Sequence, residues 1–218
     1  MFVYGAGPNS LDTGCGTSYS APAVAGALAD MRDEFIFFGG AWITLTHYAD
    51  AMRVNMLLMG DAWNGQNFTT SGGSVRNTLP TALSGYGRAR THFPSAGGIA
   101  APWSYQWQPV TVTQSNTSTI AINGGAVVPS GVTEFKVAFS WVPNSFSDVP
   151  DVDVSLFNTC GGSHTLLAYQ NDLDYHNRLW IPGSVAVGKC LSVELYGYSV
   201  PSGGTTVQMA AMYHADPL

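Results

Sequence analysis

The sequence predicts an α+β chain: a partial α/β segment with two helices, followed by an antiparallel β-sandwich of the jelly-roll type. Three observations carry this. Apolar residues recur at helical spacing in two segments of the first half, and beyond residue 102 they switch to short alternating runs split by Gly, Pro, Asn and Ser. Charged residues make up only 10% of the 218, against roughly 25% in an average soluble domain, and Gly, Ser and Thr are plentiful, a bias that suits a β-rich extracellular protein.

The first helix is predicted to start near Ser18. Ala21, Val24, Ala25 and Leu28 fall at i, i+3, i+4 and i+7, and Pro22 sits in the first turn, where its missing N–H costs nothing. The second runs from Thr46 to Trp63, with Ala49, Met52, Met56 and Met59 on one stripe and Val54, Leu57 and Leu58 beside it. So wide an apolar surface implies deep burial, and the methionines read as core. The strands follow as VTVTQ, STIAIN, EFKVAFSWV, VDVSLF, TLLAYQ, CLSVELYGY and TVQMAAMY. The boundary is placed between Ser95 and Gln108, dividing the chain into residues 1–100 and 101–218. As an independent unit the first part is short of strands, so its apolar helices need partners that its own composition barely supplies.

Charge excludes some functions. Eight Lys+Arg against fourteen Asp+Glu give a formal charge of -6, and no basic cluster is available to neutralise a row of phosphates, so nucleic acid is not an expected partner. No apolar run approaches the roughly 20 residues of a membrane helix, and the most hydrophobic window, Met52 to Met59, holds Arg53 and Asn55. The first residues, MFVYGAGPNS, lack the basic and apolar regions of a secretory signal. Cys160 and Cys190, both in the β-rich half, are candidates to pair. Cys15 is then left as a buried free thiol or as a half-cystine with a partner upstream.

Chemistry concentrates at Ser18. A serine hydroxyl is a weak nucleophile at neutral pH and needs a base for its proton and donors for the oxyanion. The run Gly16-Thr17-Ser18-Tyr19-Ser20-Ala21-Pro22-Ala23-Val24-Ala25-Gly26 closely resembles the nucleophile motif of the subtilisin-like serine proteases, G-T-S-x-[AS]-x-P-x-V-[AS]-G. The competing signatures fail: G-x-S-x-G needs glycine where Ser20 stands, and S-x-x-K needs lysine where Ala21 stands. FVYGAG, residues 2–7, looks like the strand end before the subtilase serine, and GYGRA, residues 85–89, is similar to the strand that closes the catalytic domain. EFKVAFSWV, VPDVDVSLFN and VGKCLSVELYGY look like strands of the jelly-roll domains that often follow it.

The resemblance implies the C-terminal part of a secreted, extracellular endopeptidase acting on protein or peptide substrates, with Ser18 as nucleophile. Subtilases present Asp, then His, then Ser along the chain, with an oxyanion Asn between the last two. Here no histidine precedes Ser18, and neither Asp12 nor Asn9 occupies the corresponding place. The remaining machinery is therefore expected upstream of Met1, in an N-terminal catalytic portion that would be this chain's partner, and little peptidase activity is expected from the chain alone. Two rival expectations stand beside it. One is a stand-alone, esterase-like serine hydrolase in which His47 or His92 replaces the family base; the other is a non-catalytic β-sandwich that binds or stabilises.

Two further clusters draw notice. Asp148, Asp151 and Asp153, with Asp172 and Asp174, put five carboxylates on two segments that could meet at one end of the sandwich. Asp151, Asp153, Asp172 and Asp174 are candidate ligands for calcium, which subtilase jelly-roll domains sometimes hold; the alternative is solvated loop acids. Trp103, Tyr105 and Trp107 alternate along an extended segment, either as packing between the two parts or as a platform for a carbohydrate.

Overall fold

The protein is described by a computed structural model covering residues 2–4, 11–13, 21–29, 48–59, 68–70, 73–75, 104–142, 149–170 and 176–214. Two short hairpins lie in the first part: β1 (Phe2–Tyr4) with β2 (Leu11–Thr13), and β3 (Phe68–Thr70) with β4 (Gly73–Val75). Helix α1 covers residues 21–29 and α2 covers Tyr48–Met59.

The second part is an eight-stranded sandwich: β5 (Ser104–Val112), β6 (Thr117–Ala121), β7 (Glu134–Ser140), β8 (Asp151–Asn158), β9 (Thr165–Gln170), β10 (His176–Pro182), β11 (Leu191–Ser199) and β12 (Thr205–His214), with a one-turn helix α3 (Gly183–Ala186) after β10. One sheet runs β10-β7-β12-β5 and the other β6-β11-β8-β9, all neighbours antiparallel. The first strand of the eight pairs with the last, and the chain crosses between sheets at every step except the β8–β9 pair, which is the jelly-roll arrangement.

Period-2 alternation explains the core. Phe135, Val137, Phe139 and Trp141 from the β7 segment, Val207 and Met209 from β12, and Val154, Leu156, Val193 and Leu195 from the facing sheet are buried together. The Trp141 indole donates to the Pro150 carbonyl at 2.9 Å, so this polar atom is satisfied inside the core. The expected cysteine pair is formed: Cys160 and Cys190 are disulfide-bonded with Cα atoms 4.9 Å apart.

Sequence reading missed β10. HNRLWIP carries Asn and Arg in a strand whose Asn177 and Arg178 are nonetheless buried, so it does not read as apolar alternation. The reason lies on the outside of its sheet. Helix α2 lies across β7, β12 and β10, adding a third layer, so both faces of that sheet are covered.

Within the described residues the helix turns a different side inward than its methionine stripe suggests. Ala51, Val54 and Leu58 are fully covered together with Asn55, whereas Ala49 is exposed and Met56 half-buried. Met52 is core, as the stripe suggested. In α1 the difference is larger. Ala21, Val24 and Ala25 are exposed, and the helix touches its surroundings through Ala27 and Leu28.

Candidate functional site

The residue with the clearest chemistry, Ser18, lies outside the described residues, three positions before α1. His47, His92, Asp172 and Asp174 are outside them too, as are Cys15, Trp103 and Asp148. What the structure describes is the helix that follows the serine in sequence and what that helix packs against. Between α1 and α2 runs an open groove of about 490 Å³ whose walls are Val24 and Leu28 on one side and Met52, Arg53 and Met56 on the other. Val24 is 40% exposed there.

Helix α2 is fixed to the sandwich by both packing and polar contacts. Met52, Val54, Leu57 and Leu58 meet Ala138, Ala210 and Met212, with Tyr105 and Trp107 packed against the same cluster. This resolves the alternating aromatics: both described members, Tyr105 and Trp107, pack between the two parts of the chain. The Tyr105 hydroxyl donates to Asn55 Oδ1 at 2.9 Å, and the Asn55 amide donates to the Ala51 carbonyl at 2.8 Å. Burial pushes the Tyr105 phenol far above the ordinary tyrosine range, with the Asn55 hydrogen bond opposing it, so it stays a neutral donor.

Charges are matched to the helix ends. Asp50 sits in the first turn of α2, with Arg53 Nη1 3.4 Å away. At the other end Arg178 Nη1 donates to the Leu57 carbonyl at 3.0 Å, placing a cation where the last carbonyls need donors. Under this layer Lys136 Nζ pairs with Glu134 Oε1 at 2.9 Å, and the Trp180 indole donates to Glu134 Oε2 at 2.7 Å. Among the described residues, the buried Asp50, Lys136 and Arg178 therefore each have a partner. Gln208 differs: it is fully buried and neither of its amide atoms has one.

Of the carboxylates proposed for calcium, Asp151 and Asp153 are described, and both stand on the outward face of β8. Burial, and secondarily the Asp153 charge, raise the Asp151 carboxyl above the usual carboxylate range. Among the described residues no group of three or more His, Cys, Asp or Glu side chains comes together. Two carboxylates supply only a fraction of the roughly six to eight oxygens calcium takes, so the described residues do not by themselves make a site.

No protein family and no curated protein matches the sequence. Solved structures do show similarity. The mitogen from Yersinia pseudotuberculosis is 15% identical, with 52% of this chain and 88% of that one covered and a TM-score of 0.38. The capsid of the Helicobacter pylori bacteriophage KHP30 is 12% identical, covering 54% and 92% at 0.34. A xylan-binding domain from Paenibacillus barcinonensis is 13% identical, covering 53% and 86% at 0.30. No helix among the described residues is long and apolar enough to cross a membrane.

Proposed function

We propose that the chain is the C-terminal portion of a secreted subtilisin-like serine endopeptidase, in which Ser18 is the nucleophile and the jelly roll is a domain appended to the catalytic one. The run from Gly16 to Gly26 carries this reading. Helix α1 begins three residues after Ser18 and supports it, because a serine just ahead of a helix lies where the backbone N–H groups and the helix dipole favour a developing oxyanion. The disulfide fits an oxidising compartment.

In this reading the Ser18 hydroxyl attacks the scissile carbonyl and its own N–H donates to the oxygen that becomes negative. The general base, its orienting carboxylate and the oxyanion amide come from an upstream polypeptide. Without them a subtilase site loses several orders of magnitude in rate. The test is to express the chain together with the coding sequence immediately upstream of Met1 and assay peptide hydrolysis. Activity that requires both parts and disappears in Ser18→Ala is expected. An upstream sequence lacking D-[ST]-G and H-G-T motifs, or Ser18-dependent peptide hydrolysis by the 218 residues alone, would overturn the proposal.

A further inference from the structure

The outer face of the sheet β6-β11-β8-β9 is unlike that of its partner: no helix among the described residues covers it, and it is both aromatic and acidic. Val152, Val154 and Leu156 of β8 point into the core, as do Leu191, Val193 and Leu195 of β11, so Asp151, Asp153, Ser155 and Phe157 face outward beside Glu194 and Tyr196. Three tyrosines are set in water here: Tyr196 is 38% exposed, Tyr169 on β9 is 62%, and Tyr198, at the bulge in β11, is 63%.

Strand register fixes how rings and carboxylates are placed. Tyr196 stands directly across from Asp153, while Glu194 stands across from Ser155, which in turn stands across from Tyr169. Successive rows on one face are about 7 Å apart. The Tyr196 and Tyr169 rings thus each have a carboxylate within reach of a single bound side chain. At the edge His164 stacks on Phe157, ring centroids 4.0 Å apart, and its Nε2 lies 2.8 Å from Glu194 Oε1.

The charge is one-sided. None of the four strands contains a lysine or arginine, although three carboxylates stand on their outer face. Of the sandwich's lysines and arginines, Lys136 and Arg178 belong to the opposite sheet, buried under α2, and Lys189 lies ahead of β11, outside the strands. We infer that this face binds a cationic polypeptide segment, whose Lys or Arg side chains lie over the Tyr196 and Tyr169 rings and pair with Asp153 and Glu194. Exposed rings attract cations through their negative faces, and adjacent carboxylates add direct pairing. Rings alone would equally suit the apolar face of a sugar. Excluding every basic residue from four strands while keeping three acids creates a field that only a positive partner exploits. This inference stands on the sandwich alone and goes beyond the peptidase reading.

The experiment is fluorescence anisotropy of a labelled oligolysine peptide titrated with the full 218-residue chain at low and at physiological salt. Binding that weakens with salt is expected. Asp153→Asn with Glu194→Gln should lower affinity about tenfold or more and flatten the salt dependence. Tyr169→Ala with Tyr196→Ala should lower it about tenfold, while Tyr196→Phe, which keeps the ring, retains it. Asp33→Asn with Glu34→Gln removes the same charge from the first part of the sequence and should leave affinity unchanged. The inference is overturned by absence of binding at low salt, by equal losses from both acid pairs, or by binding of a neutral xylo-oligosaccharide to the same tyrosines in place of oligolysine. None of these outcomes bears on Ser18.

Discussion

Single residues report most directly on the interface between α2 and the sandwich. Tyr105→Phe removes the donor to Asn55 Oδ1 while keeping the ring in its place, so it leaves a buried acceptor unsatisfied. The expected cost is about 1–3 kcal/mol, seen as a lower urea midpoint with an unchanged slope. Gln208→Leu should act in the opposite direction, because the native amide is buried with no partner and its replacement has no polar atom to desolvate. A lower melting temperature in Gln208→Leu would show that the amide is satisfied after all. At Asp151 the sign follows from its raised carboxyl. The folded state holds the proton more tightly than the unfolded chain, so the group's contribution is fully present below the ordinary aspartate range and is lost as pH rises through the raised value. Asp151→Asn removes that loss. It should raise the melting temperature at neutral pH and have no such effect near pH ~3, below the ordinary aspartate value. These residues are only partly legible in the sequence: Tyr105 stands out as an aromatic for packing between the parts or for a carbohydrate platform, but nothing in its neighbourhood points to Asn55, fifty positions away.

At the scale of elements, strands whose inward residues are consistently apolar are readable, β7 and β12 included although α2 covers their outer side, and β10 is not. EFKVAFSWV and CLSVELYGY give themselves away by periodicity, since the inward residues of β7 and β11 are consistently apolar. β10 was hidden because its Arg178 is buried against a helix carbonyl, a contact invisible without α2 in place. For α2 the pattern announced burial but not which side, because its apolar residues run nearly all round and the choice is made by the sheet it meets. The disulfide was legible only as a possibility. It closes a separation of 30 residues between the end of β8 and the start of β11, which corresponds to about 3–4 kcal/mol of chain-entropy stabilisation. Reduction, or Cys160→Ser with Cys190→Ser, should lower the melting temperature by roughly ten degrees in a chain of this size. Unchanged melting under strong reductant would mean the two thiols are not bonded in solution.

For the whole molecule, the question is whether the boundary near residue 100 separates two independent parts. The candidate nucleophile rests on a short ordered motif and remains a proposal, since Ser18, His47 and His92 lie outside the described residues. The physical link between the parts is α2. Its Met52, Val54, Leu57 and Leu58 close over Ala138, Ala210 and Met212, so cutting the chain at the boundary exposes an apolar sheet face together with the otherwise buried Lys136 and Arg178. Residues 101–218 retain the jelly-roll core between the two sheets and should still melt cooperatively, but at a lower temperature than the full chain and with strong binding of a hydrophobic dye. Leu58→Ala in the full chain, a cavity beneath an intact helix, should cost about 2–5 kcal/mol without the dye binding. Should the truncated domain melt as high as the full chain and stay dye-silent, the sandwich would be self-sufficient, and α2 would be resting on it instead of completing it.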